Sequence, residues 1–183
     1  MIPSEGDALA LHKKYGSSDR IITHCQTVAK VAVILTEELE WRGVGVDAKA
    51  VVAAALLHDI GRSRVQTVMH GAEGSEIIER EGVDRRVVEI VRKHVGAGIS
   101  PDEADKLGMP KLDYVPGTLE ERLVCFADKM VDSDSVRPFD GEVRRFVTKK
   151  HDVARLLALE RGMREELGTD PSQFVLDKIK ESR

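Results

Sequence analysis

A chain of 183 residues with 42% hydrophobic and 33% charged side chains has the balance of a globular protein with room for one substantial core. Its formal charge of −4 argues against a nucleic-acid binder that works through a broad basic surface, while leaving nucleotides, which need only a few local cations. The longest apolar run, residues 50–57, is too short to span a bilayer, and the first residues lack a basic stretch followed by an apolar one, so the reading is a cytoplasmic protein with no membrane partner.

Helix punctuation is clear along the chain. Ser4 and Asp7, in capping-box spacing, open a short helix that stops near Gly16. Ser18 opens a long one, residues 18–41, in which Ile21, His24, Val28, Val31, Leu35 and Leu39 share one face. Asp47 caps a third, with Val51, Ala54, Ala55 and His58 on a common face and Gly61 placed to end it. His70 and Gly71 begin a helix stopped by Gly82; Asp84 caps the next, with Val87, Val88, Val91 and His94 in register before Gly96. A loop rich in Gly and Pro follows, holding a small helix begun by Ser100-Pro101. Thr118 and Glu121 then box the start of a helix carrying Leu123, Val124, Ala127 and Asp128. Residues 141–167 and 171–180 read as two more helices, and no segment has strand period. The predicted fold class is all-α: a bundle of about seven to nine helices forming one domain over 1–183, with helices 141–182 packed on a core of about 18–135. Cys25 and Cys125 have no CxxC partner and fall in apolar patterns, which reads as small buried hydrophobes.

The chemistry concentrates on six side chains. His58 and Asp59 sit side by side at the end of an apolar helix, where unpaired polar groups are costly. His24 precedes them; His70, His94 and Asp128 follow. Taken singly, each has an innocent role, such as a hydrogen-bonded core histidine or, for His94, a charge at a helix C-terminus. Taken together, four of the six histidines fall on the inward face or edge of successive helices, leaving out only His12 and His151. Helical bundles build metal sites by projecting imidazoles and carboxylates inward in this way. The donor set suits divalent Fe, Mn, Co, Ni or Zn, and the lack of candidate thiolates disfavours a structural zinc site. Neighbouring side chains diverge by about 100° around a helix axis, so His58 can hold one ion while Asp59 bridges to a second.

The ordered set His24, His58-Asp59-Ile60-Gly61, His70, His94 and Asp128 resembles the HD-domain superfamily of metal-dependent phosphohydrolases in its HDIG form, over about residues 18–135. The resemblance implies a core of about five helices. It implies that His24, His58, Asp59 and Asp128 bind one metal, and that His70 and His94 add a second with Asp59 bridging. The implied activity is cleavage of a phosphoester or phosphoanhydride by metal-activated hydroxide, with Asp59 as the catalytic carboxylate and two divalent ions about 3.5–4 Å apart. Phosphate contacts would fall to Arg62, Lys129 and Arg20. The glycines of 70–74 offer a helix start for an anion, or plain helix initiation, and the turn Arg137-Pro138-Phe139 a lid, or a plain loop. Ser63 has no base at defined spacing, which disfavours a covalent serine route.

Sequence departures narrow the branch. Val95-Gly96-Ala97-Gly98 after His94 differs from cyclic-di-GMP phosphodiesterases, and Arg62-Ser63 replaces the Glu-Asp pair of alarmone hydrolases. What remains is similar to small stand-alone members that act on nucleotides, so the expected partner is a small phosphorylated molecule, such as a nucleotide. Two other readings stay open: a mixed-valence di-iron oxygenase of the same ligand set, and a nucleotide-binding sensor without turnover. The apolar content of 141–167 is expected to pack on the chain's own core, with a homodimer interface as the alternative.

Overall fold

At the centre lies a helix that is apolar on every side. Residues Ala50, Val51 and 53–57 of α3 (Ala48–Leu57) are all buried, and a helix without a polar face has to be surrounded. The structure, a computed structural model, describes residues 1–149 and 152–182. Around α3 pack α1 (Glu5–Lys14), α2 (Asp19–Trp41), α5 (Arg85–Lys93) and α7 (Leu119–Lys129), while α4 (His70–Arg80) packs on α5. The five helices α2, α3, α4, α5 and α7 form the body that carries the candidate ligands. Beyond them lie α6 (Pro101–Lys106), a two-stranded antiparallel hairpin of β1 (Val131–Asp132) and β2 (Ser135–Val136), then α8 (Phe139–Thr148), α9 (Ala154–Leu167) and α10 (Pro171–Glu181). The fold is all-α, and among the described residues no helix is long and apolar enough to cross a membrane.

The predicted caps operate. Ser4 with Asp7, Ser100 with Glu103 and Thr118 with Glu121 form reciprocal boxes, and the Asp47 and Asp84 side chains accept from the Ala50 and Arg86 amides in the first turns of α3 and α5. Glu121 does more than cap. Buried, it also accepts from Lys93 Nζ at 2.8 Å and so ties α7 to the end of α5, next to His94.

Three expectations need correction. The single helix over 141–167 is two: α8 ends at Thr148, and α9 begins at Ala154, whose amide bonds the Asp152 carboxylate at 2.9 Å. That break raises the number of α-helices to ten among the described residues. Lys150 and His151 lie outside the described residues. The hairpin over 131–136 went unread, because two-residue strands have no measurable period. Gly61, expected as a helix terminator, instead sits inside a short 3-10 turn, Ile60–Ser63, because α3 has already ended at Leu57 with His58 as its cap. Its role is steric. A Cβ there would lie 2.0 Å from the His70 carbonyl oxygen and 2.5 Å from the Gly74 amide nitrogen.

The C-terminal helices feed the same core, with Leu156, Leu159, Met163, Leu167 and Val175 buried in it and α9 seated on α7 and α2. Phe139 is buried and stacked on Phe126 with ring centroids 4.6 Å apart, so this residue of the suspected lid is an anchor. Of the apolar residues in 141–167, Val147 and Leu157 remain exposed.

Candidate metal centre

Five helices bring the six predicted ligands together. His24 Nε2 lies 3.1 Å from Asp128 Oδ1 and 3.9 Å from Asp59 Oδ2. His58 Nε2 lies 3.5 Å from the same Asp128 oxygen and 3.9 Å from the same Asp59 oxygen. The other oxygen of Asp59, Oδ1, faces His70 Nε2 at 3.2 Å and His94 Nε2 at 3.5 Å. Asp59 thus divides the cluster into two triads, His24–His58–Asp59 and Asp59–His70–His94, each able to hold a metal ion. Asp128 Oδ1 lies beside the first, within 3.5 Å of both of its imidazoles.

Every one of the four imidazoles is aimed by its far nitrogen. Nδ1 of His58, His70 and His94 donates to the carbonyl three residues earlier, Ala55, Thr67 and Val91, at 2.8, 2.7 and 2.7 Å. His24 Nδ1 donates to the Ser133 carbonyl at 3.0 Å. A nitrogen facing a carbonyl must carry the proton, so each imidazole in its neutral form presents the Nε2 lone pair to the centre. Main-chain acceptors that fix the tautomer of a ligating histidine are a hallmark of metal sites. Ser133 sits in the turn of the hairpin with φ of 60°, and Arg20 reaches its hydroxyl at 3.3 Å. Sequence reasoning missed Ser133; the run Asp132-Ser133-Asp134-Ser135, rich in turn formers, was the available signal.

This arrangement is incomplete without a cation. His70 and His94 point Nε2 at Nε2 across 3.0 Å, two lone pairs in repulsion unless a positive charge serves both. A single cation held by both nitrogens would remove that repulsion. His58 Nε2 and Asp59 Oδ1 are buried with no hydrogen-bond partner, the costly condition that an ion relieves. Burial opposes the ionisation of Asp59, but His58, His70 and His94 outweigh it and hold the carboxyl well below the usual carboxylate range. For Asp128 burial is likewise overcome, by Lys129, His24 and His58. Burial draws His94 down to about 4, leaving it a neutral donor. His58 goes the other way: burial is outweighed by Cys25, Asp59 and Asp128, and it is driven well above its ordinary value.

The residues assigned to phosphate lie at the centre with prior engagements. Arg62 Nε donates to Asp59 Oδ2 at 2.6 Å, Lys129 bonds Asp128 Oδ2 and, at 3.3 Å, the His94 carbonyl, and Arg20 holds the hairpin turn. All three line a cleft of about 1060 Å³ together with His24, Asp59, His70, His94 and Asp128. The glycines of 70–74 are packing contacts. A Cβ on Gly71 would meet Val95 at 2.7 Å, and one on Gly74 would press on the Gly61 amide at 3.2 Å. Their smallness lets α4 approach α5 and the 3-10 turn, which places His70 against His94. Both cysteines are buried and free. Burial pushes the Cys25 thiol up, but His58 and His12 outweigh it and draw it down to about 6; Cys125 is pushed up to about 11 by burial. His12, left out of the ligand set, is buried and bridges Ser17 to the Leu56 carbonyl at 2.8 and 2.7 Å.

The HD domain model matches residues 21–131, a span that contains all six side chains. The chain belongs to the HD-domain family. It is similar to a tRNA (cytidine(56)-2'-O)-methyltransferase of Thermoplasma volcanium, with 46% identity over 134 residues covering 73% of this chain and 38% of that protein. A protein of the same name from Picrophilus torridus is 37% identical over 178 residues, covering 96% of this chain and 51% of that protein. The HD chain thus spans about half, or less, of the length of these relatives. Among solved structures it is similar to the HD domain of the L. monocytogenes phosphodiesterase PgpH, with a TM-score of 0.59 and 15% identity over 94% of this chain and 99% of that one, a likeness of fold.

Proposed function

We propose that this HD domain is a metal-dependent phosphohydrolase that cleaves a phosphoester or phosphoanhydride of a nucleotide or related phosphorylated molecule. One observation carries the reading: four histidines, each locked by a main-chain acceptor, turn their Nε2 atoms onto the carboxylates of Asp59 and Asp128. His24, His58, Asp59 and Asp128 are the ligands of one divalent ion, and Asp59, His70 and His94 those of a second. Divalent cations at such a site lower the pKa of water to near neutrality and neutralise phosphate oxygens. The chain's own residues do the rest. Asp59, shared by both triads, fixes the spacing of the two halves. Arg62 and Lys129, each already on a ligand carboxylate, turn their remaining N–H groups toward the cleft and orient an incoming phosphate.

The name shared by the two relatives does not transfer with the match. Methyl transfer needs a methyl-donor site, and we assign it to the roughly half or more of those proteins that this chain does not match. Their name does make RNA, or a fragment of it, one candidate source of the phosphoester.

The test is elemental analysis and a phosphate-release assay on one anaerobically purified sample. Metal-supplemented protein is expected to hydrolyse nitrophenyl phosphate esters in the absence of dioxygen, which also separates this reading from an oxygenase. No turnover of any phosphoester with metal bound would end it. Replacing both His70 and His94 by Ala is expected to lower the metal content from two ions per chain to one; two retained ions would remove the second-site assignment.

A further inference from the structure

The cleft extends well beyond the six ligands. It is also lined by α8 with the turn before it, a segment outside the residues that match the HD model. Although the chain has a formal charge of −4, this cleft is lined by seven Arg and Lys against four Asp and Glu. Arg62 and Lys129 are tied to Asp59 and Asp128, and on α8 Arg144 and Arg145 pair with Asp140 and Glu142. Exposed Arg137 and Lys149 also line the cleft, and neither has an ion-pair partner among the described residues.

Their placement discriminates between ligands. Arg137 and Lys149 flank the ten residues of α8, a rise of about 15 Å, so they present charge as a row and not as a point. A terminal phosphate chain calls for clustered cations; a row suits a backbone whose charges repeat between sugars. Between the two ends Phe146 lines the same cleft, with Ile21, Val68 and Val131 supplying further apolar surface. Cations interleaved with an aromatic face are the means by which single strands are gripped without reading their sequence. The cleft, at about 1060 Å³, is also at the upper limit of small-molecule pockets, roughly 300–1,000 Å³.

Resting on the hydrolase reading above, we propose that Arg137, Phe146 and Lys149 form a distal subsite, and that the substrate is the end of a single-stranded oligonucleotide in preference to a mononucleotide.

The experiment is fluorescence anisotropy on EDTA-treated protein with fluorescein-labelled oligoadenylates of one, two, four and six nucleotides, and with ATP as competitor. Affinity is expected to rise on the order of tenfold or more between one and four nucleotides. The double variant R137Q/K149Q, both positions exposed, should flatten that rise. It should also reduce the slope of log affinity against log salt by about 1.4, the loss of two phosphate contacts at roughly 0.7 each. A flat length profile in the parent, or ATP binding tighter than the tetranucleotide, overturns the proposal. Nitrophenyl ester hydrolysis by metal-loaded parent keeps the two readings apart. Hydrolysis with a flat length profile removes the oligonucleotide alone, whereas length-dependent binding without hydrolysis supports the subsite and removes the hydrolase reading.

Discussion

Replacing Asp59 by Asn is expected to lower phosphoester hydrolysis on the order of a thousandfold or more while leaving helical content unchanged. Among the described residues Asp59 is the one side chain that faces all four imidazoles, through Oδ2 toward His24 and His58 and through Oδ1 toward His70 and His94. Asparagine keeps the volume but removes the charge. Whichever way its amide turns, an N–H₂ group faces one of the two triads where a carboxylate oxygen stood, and it cannot donate electrons to a metal. The fold should tolerate the change, because the group left over, Arg62, has a partly exposed side chain and can turn to water. His58→Ala should also be inactive, but it empties a fully buried position and is the less clean test. The measurement is turnover of a nitrophenyl phosphate beside far-ultraviolet circular dichroism. Parent-like turnover in Asp59→Asn would sink the mechanism.

The second large effect is structural. Gly61→Ala is expected to destabilise the protein by about 3 kcal/mol or more, lowering the melting temperature by about 6–12 °C. The added methyl would meet the backbone of His70 and Gly74, which cannot rotate aside as a side chain tip would. Relief requires α4 to withdraw from the 3-10 turn, and His70 moves with it. The variant should therefore lose metal at the Asp59–His70–His94 triad as well as stability. Gly82→Ala is the control. Gly82 has φ of 72° with open space around a Cβ, so the cost there is conformational, about 1 kcal/mol, and metal content should not change. Equal melting temperatures for the two variants would show that the close approach at Gly61 is not what holds α4.

Much of this was legible beforehand because caps and periodicity are local. Ser4, Asp47, Asp84, Ser100 and Thr118 announced helix starts, and His24 and His94 shared a stripe with Val and Leu that had to face inward. What stayed hidden depended on contacts between distant segments. Gly61 looked like a terminator because its partner, the His70 carbonyl, is not its neighbour in sequence. The break between α8 and α9 contains no Gly or Pro, and apolar residues continue across it; Asp152 alone marks the new start. The hairpin that orients His24 was invisible for want of length. For Arg62 and Lys129 the sequence named the right cations, but it did not show that each already engages a ligand carboxylate.

The acceptors that steer the four imidazoles are all peptide carbonyls, at Ala55, Thr67, Val91 and Ser133. Every amino acid carries one, so no substitution at those four positions can delete the group itself. Genetic drift can replace the side chains around this centre while the rings keep their heading, provided the helix ends hold their shape. Its vulnerability is thereby concentrated in the ligands and in a few glycines, and the positions between them are free to adapt to a new substrate.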